Sequence, residues 1–120
     1  MSAAETPDPE QFLPLPTAAF HILVALADAD RHGYAIMQEV SERTGGRTKL
    51  NPGTLYTTIG RLLEQGLIDE LDARPAGKDD ERRRYYRLTR IGRHVARLEL
   101  ARLGDLVALG RQAGLITRRS

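Results

Sequence analysis

Apolar residues recur along the chain in four helix-like bursts and one alternating stretch. The spacing predicts a first helix over about Ala18 to Ala27, with Thr17 placed to cap it. Phe20, Ile22, Leu23, Val24 and Leu26 make that helix apolar nearly all round, the pattern of a helix covered on more than one side. A polar turn, Asp28 to Gly33, leads to a second helix over about Tyr34 to Arg43, which carries Ile36, Met37 and Val40 and stops at Gly45-Gly46. After the turn Arg47 to Asn51, a third helix is predicted over about Pro52 to Gln65. Asn51 stands at its cap and Pro52 in its first turn; Leu55, Ile59, Leu62 and Leu63 form one stripe, and Gly66 terminates it. Ile68 to Ala73 and Arg83 to Leu88 read as two strands, joined by a nine-residue loop that is long for a tight hairpin. Thr89 then caps a last helix over about Arg90 to Gly110, roughly 30 Å long.

Two helices, a third helix and then a hairpin predict a mainly α fold with a small β-hairpin, a winged helix-turn-helix. Met1 to Pro16 holds four prolines and little apolar content, so residues 1–16 are expected to be a flexible tail. Residues 17–89 make the winged helix, and residues 90–120 make a C-terminal dimerisation helix with a short tail. Tyr86 and Leu88 share one face of the second strand, Tyr85 and Arg87 the other.

On a helical wheel the apolar stripe of the third helix faces away from Gly53, Thr54, Thr57, Gly60 and Arg61. Small residues there let a backbone approach a major groove, Thr offers a hydroxyl and a methyl, and Arg can chelate guanine. Tyr56 lies on the flank. The plainer alternative is a solvated outer face, but Thr57, Thr58 and Gly60 weaken a helix, so helix stability does not explain them. In the hairpin, Lys78 and Arg82 to Arg84 are placed to meet phosphates or the minor groove. Asp79, Asp80 and Glu81 at the tip would repel a DNA backbone, which favours Arg83 and Arg84 over the tip itself.

Charge and composition sharpen this picture. With 120 residues the chain is one domain, and without cysteine it has no disulfide or thiolate chemistry, which fits a reducing cytoplasm. Residues 1–30 carry five acids and no Lys or Arg, whereas residues 47–93 carry eleven Lys/Arg against seven Asp/Glu. A basic second half suits a polyanion. No secretory signal is evident, and no apolar run approaches the roughly 20 residues that span a bilayer, so no membrane partner is expected. No nucleophile–base pair, phosphate-binding glycine loop or carboxylate dyad stands at an interpretable spacing, and His21, His32 and His94 lack metal spacing. No enzyme activity, cofactor or metal is expected.

The last helix bears two apolar stripes, Leu98, Leu106 and Leu109 on one side and Leu100, Leu103 and Val107 on a second. One stripe can cover its own domain and the other a partner. Phe20, Leu23 and Val24 of the first helix also need covering, so a homodimer interface is expected from Phe20, Leu23, Val24, Val95, Leu98, Leu103 and Leu106.

The stretches HGYAIMQEV (32–40), LNPGTLYTTIGRLLEQGLID (50–69) and RRRYYRLTRIGR (82–93) resemble the PadR family of bacterial transcriptional regulators. The resemblance runs over about Leu13 to Leu103, and its combination of motifs is specific although each piece is common in winged helices. It implies a homodimer that binds a palindromic site on double-stranded DNA, usually as a repressor released by a small molecule or stress signal. Carried over residue by residue, Asn51, Thr54 and Tyr56 look like the DNA-contacting set. Charge and wheel position add Lys49, Thr57 and Arg61; the hairpin adds Lys78, Arg83 and Arg84. The chain resembles the short subgroup, in which the first and last helices make the dimer. Some short relatives stack flat drugs on a tryptophan of the last helix; this chain has no Trp. Phe20, His21 and Tyr34 are placed where they could line an effector cavity, although a Phe or Tyr at helical spacing is far more often a core residue. A winged-helix protein–protein module without specific DNA binding is the alternative reading.

Overall fold

A computed structural model describes residues 8–71, 74–75 and 82–116. The elements run α1 (Thr17–Ala25), β1 (Arg31–His32), α2 (Gly33–Arg43), α3 (Pro52–Glu64), β2 (Ile68–Glu70), β3 (Arg74–Pro75), β4 (Arg82–Arg83), β5 (Tyr85–Leu88) and α4 (Arg90–Gln112). The caps explain most of the helix bounds. Asn51 Oδ1 accepts the Thr54 N–H at 2.8 Å, and Thr89 Oγ1 accepts the Gly92 N–H at 3.0 Å. Gly45, Gly46 and Gly66 take positive φ values of 63°, 82° and 76°, the left-handed turn that ends α2 and α3. Thr17, expected to cap α1, is instead its first residue; Pro16 holds the cap position with no side-chain bond.

The strands differ from expectation in two ways. Arg31–His32 lies inside the predicted polar turn yet pairs with β5, giving a three-stranded sheet of order β1-β5-β2 with Arg31 opposite Tyr86 and Ile68 opposite Leu88. A two-residue strand is too short to display an alternation. The hairpin also continues past β2 and β5: Arg74 pairs with Arg83 and Pro75 with Arg82, so the span between paired positions is 76–81 rather than nine residues. Lys78, Asp79, Asp80 and Glu81 lie outside the described residues.

α1 is the hub of the core. Its Ile22 and Leu23 are fully buried against Ile36, Leu55, Leu62, Leu67, Ile68 and Val95, each side chain contributing roughly 1.5–3 kcal/mol by leaving water. The carbonyls at its C-terminal end are taken by three arginines from three other elements. Arg31 donates to Ala25, Arg43 to Val24 at 3.2 Å and Arg93 to Ala27 at 3.0 Å. These satisfy acceptors that a helix end leaves bare and set positive charge at the negative end of its dipole. Asp28 joins Arg31 at 2.9 Å and Arg43 at 3.1 Å, and the Arg31 hydrogen bond holds its carboxyl below the usual range.

The tail expected to be flexible is docked from Asp8 onward. Pro9–Phe12 forms a 3-10 turn capped by Asp8, Leu15 is buried, and Phe12 and Leu13 pack against the core. Glu99 of α4, 3% exposed, fixes this segment. Its carboxylate takes two bonds from Arg102, at 2.8 and 2.7 Å, and accepts the Leu15 N–H. Those few apolar residues among prolines suffice because α4 supplies the second wall.

Leu23 and Val95, expected at a dimer interface, are 0% exposed within the single chain and present no surface to a partner. α4 meets its own domain through its first half, where Gly92, Val95 and Glu99 are buried and Ile91 and Ala96 pack against the core. At 23 residues it is about 35 Å long and outruns the domain, leaving Leu100, Leu106, Val107 and Leu109 bare. Both predicted stripes are therefore uncovered there, not one. Leu98 and Leu103 are half-buried.

The first turn of α4 is seated through Gly92 on Leu67, the residue before β2. A Cβ at this position would stand 2.0 Å from the Leu67 carbonyl oxygen. Gly92→Ala is expected to lift α4 off the sheet and destabilise the fold by about 1–3 kcal/mol, measured as a lowered urea midpoint at unchanged slope.

Candidate nucleic-acid interface

α3 is positioned by what it buries. Leu55, Ile59 and Leu62 point into the core, which turns Thr54, Thr57, Gly60 and Arg61 outward; all four are exposed. No atom lies within 4 Å of a Cβ built on Gly60, so that face is flat and open. Thr58, one position round, is half-buried beside Phe12, Leu15, Leu62 and Gln65, where Arg61 also lies. The docked N-terminal segment thus borders the exposed face on one side. Lys49 and Asn51 are exposed at the entrance to α3, with the Asn51 side chain committed to the cap.

Tyr56 lies on the other border, 51% exposed. Its ring rests on Gly33, where an added Cβ would meet the phenol oxygen at 2.2 Å. The close approach is possible only because residue 33 has no side chain. Around this contact a cavity of about 400 Å3 opens between α2, α3 and β5, lined by His32, Gly33, Tyr34, Tyr56, Arg83, Arg84 and Tyr86. Tyr86 is buried and its phenol is pushed up, first by burial and then by Glu70 and Tyr56. Tyr34, grouped with Phe20 and His21 by the sequence, belongs here; Phe20 and His21 line a separate groove with Val24, Val40 and Leu100.

The two wing arginines are not free in this arrangement. Arg84 pairs with Glu70 at 3.2 Å, and Arg83 stands 3.0 Å from His32 Nε2. His32 is the residue the sequence reading missed. Its Nδ1 accepts the Ala35 N–H at 3.2 Å and so caps α2, and its ring meets Tyr85 edge-on with centroids 5.3 Å apart. Histidine is an uncommon cap, so nothing in the sequence marked it. Burial, and then the Arg83 charge, push the His32 pKa down. Among the described residues no group of three or more His, Cys, Asp or Glu could hold a metal, and no helix is long and apolar enough to cross a membrane.

Residues 22–98 match the Transcriptional regulator PadR-like family. A transcriptional regulator of Mycobacterium tuberculosis is 44% identical over 73 residues, which is 61% of this chain and 63% of that protein. An uncharacterized protein of Lysinibacillus sphaericus is 36% identical over 74 residues, 60% of this chain and 64% of that one. The chain therefore spans less than two thirds of either relative. A PadR family transcription regulator of Clostridium difficile superposes with a TM-score of 0.70 at 25% identity, over 81% of this chain and 97% of that one. Bacillus subtilis PadR, solved in complex with operator DNA, shares the fold with a TM-score of 0.63 at 21% identity, over 71% of this chain and 47% of that one.

The lowered His32 pKa has a signed consequence for stability. As pH falls below about 6.5, the unfolded chain takes up a proton at this position before the folded chain does, so stability drops there and is unaffected well above it. Urea midpoints at pH 7.5 and 5.5 should show a smaller acid loss for His32→Ser, which keeps a capping hydroxyl, than for the wild type.

Proposed function

Because the chain belongs to the PadR-like family of transcriptional regulators, we propose that it is a homodimeric repressor that binds a palindromic operator and is released by a small-molecule or stress signal. DNA-binding transcriptional regulation is the activity of the family, and the chain is not an enzyme. The observation that carries the finer reading is the outward face of α3. Thr57 and Arg61 are exposed opposite a buried Leu55, Ile59 and Leu62, with Thr54 and Gly60 leaving room for close approach. Lys49 at one end and Tyr56, Arg83 and Arg84 at the other supply the contacts that set orientation without reading sequence.

The homodimer is supported by the bare half of α4. Leu100, Leu106, Val107 and Leu109 are 45–58% exposed, and Phe20 and Val24 of α1 are half-buried beside Leu100. A second copy covers these residues and sets two recognition helices about one DNA turn, ~34 Å, apart. The apolar groove of about 270 Å3 lined by Phe20, His21, Val24 and Leu100 would then be roofed by the partner, a place for a small apolar effector. Phe20, Val24, Leu98, Leu103 and Leu106 remain in the proposed interface.

Mobility shift on DNA from the chain's own promoter, against random DNA at matched salt, tests the reading. Arg61→Ala is expected to lose about 1–3 kcal/mol on the specific site and little on random DNA; equal losses on both would remove Arg61 from sequence readout. Gly60→Ala should raise stability by up to about 1 kcal/mol while weakening operator binding, because the new methyl occupies the gap. Leu106→Glu is expected to halve the mass in sedimentation equilibrium; an unchanged mass would place the interface elsewhere.

A further inference from the structure

His32 is held between two donors. Its Nδ1 accepts the Ala35 N–H, so the proton of a neutral ring resides on Nε2. Nε2 stands 3.0 Å from an Arg83 guanidinium nitrogen, and a guanidinium has no acceptor. In that tautomer two N–H groups face each other across this distance. Moving the proton to Nδ1 would relieve this pair and break the cap of α2, while a protonated ring would face donors on both sides. No state of the ring satisfies both neighbours. An oxyanion beside the pair does, by accepting from Nε2–H and from Arg83 together.

The adjoining cavity has the size and lining for one. Its volume of about 400 Å3 is bounded by Tyr34, Tyr56, Arg83, Arg84 and Tyr86 besides His32 and Gly33. Glu70 pairs with Arg84, so among the described residues the two arginines exceed that carboxylate by one charge. The mouth is open, since Tyr34 and Tyr56 are 57% and 51% exposed. It adjoins the outward face of α3, so a polyanion crossing that face passes over it.

We propose that this cavity seats a single DNA backbone phosphodiester, with His32 Nε2–H and Arg83 as paired donors and the Tyr56 hydroxyl as a third. The inference rests on the DNA-binding reading above and gives His32 a role in it. Phosphate binding separates the two facing donors with an acceptor, so the contact that is unfavourable in the free protein becomes a chelate in the complex.

The test uses an operator fragment delimited by footprinting the wild type on its own promoter, rebuilt with one neutral methylphosphonate at a time. At one symmetry-related pair of phosphates the substitution should weaken wild-type binding about tenfold or more. His32→Ser should weaken the unmodified operator by a similar factor and be indifferent to the methylphosphonate at that pair. Gly33→Ala, which pushes the Tyr56 phenol out of the cavity and leaves the helix intact, should behave likewise with an unchanged circular dichroism melt. Folded variants that lose less than twofold, or that stay as sensitive as wild type at every phosphate, overturn the seat while DNA binding stands. Absence of any operator binding by wild type overturns the DNA reading instead. In that case, ring nitrogen shifts of His32 that move with millimolar inorganic phosphate would assign the cavity to a free anion, and unmoved shifts would remove the anion as well.

Discussion

The packing of α3 on α1 is the constraint from which the rest follows. Leu55, Ile59 and Leu62 have one place to go, the wall formed by Ile22, Leu23 and Leu67, and filling it fixes the rotation of α3 about its axis. A rotation of one residue, about 100°, would bring Thr58 outward and sink Tyr56 into the core. The face offered to a ligand is thus decided by the residues that never touch it. Gly33 and Gly92 act in the same way at the margins, one admitting the Tyr56 ring and the other admitting the Leu67 carbonyl.

The arginines divide into two populations with different physics. Arg31, Arg43 and Arg93 close the end of α1, and Arg102 is chelated by Glu99. Removing them costs satisfied acceptors, not affinity for a polyanion. Arg61, Arg83 and Arg84 face solvent or the cavity around Tyr56, and these are the arginines that the proposed recognition draws on. A count of basic residues in the second half of the chain mixes the two populations, which is why net charge alone says little about the binding surface.

Three helices were legible because a periodic stripe comes with a start or stop signal: Asn51-Pro52 opens α3, Thr89 opens α4, and paired glycines stop α2; α1, apolar nearly all round and without a side-chain cap, was legible from its apolar run alone. What escaped was whatever depends on distant partners. β1 is two residues long and exists only because β5 offers an unpaired edge. The segment from Asp8 to Pro16 looks polar and proline-rich, yet it is pinned by Glu99, which lies more than eighty positions away. Leu23 and Val95 read as surface because periodicity gives a helix its apolar side without saying which neighbour covers it. On the candidate interface, the exposure of Thr57 and Arg61 followed from the wheel, whereas His32 is an uncommon cap and the engagement of Arg84 by Glu70 joins residues far apart in the chain.

The second half of α4 carries one more implication. Roughly a dozen residues of helix projecting alone into water lie at or below the length that holds its turns unaided. Their order then depends on whatever shields them, and shielding by another molecule of the same chain ties folding to abundance. With a second copy as the shield, as proposed above, dilution would fray that rod before it loosened the globular body.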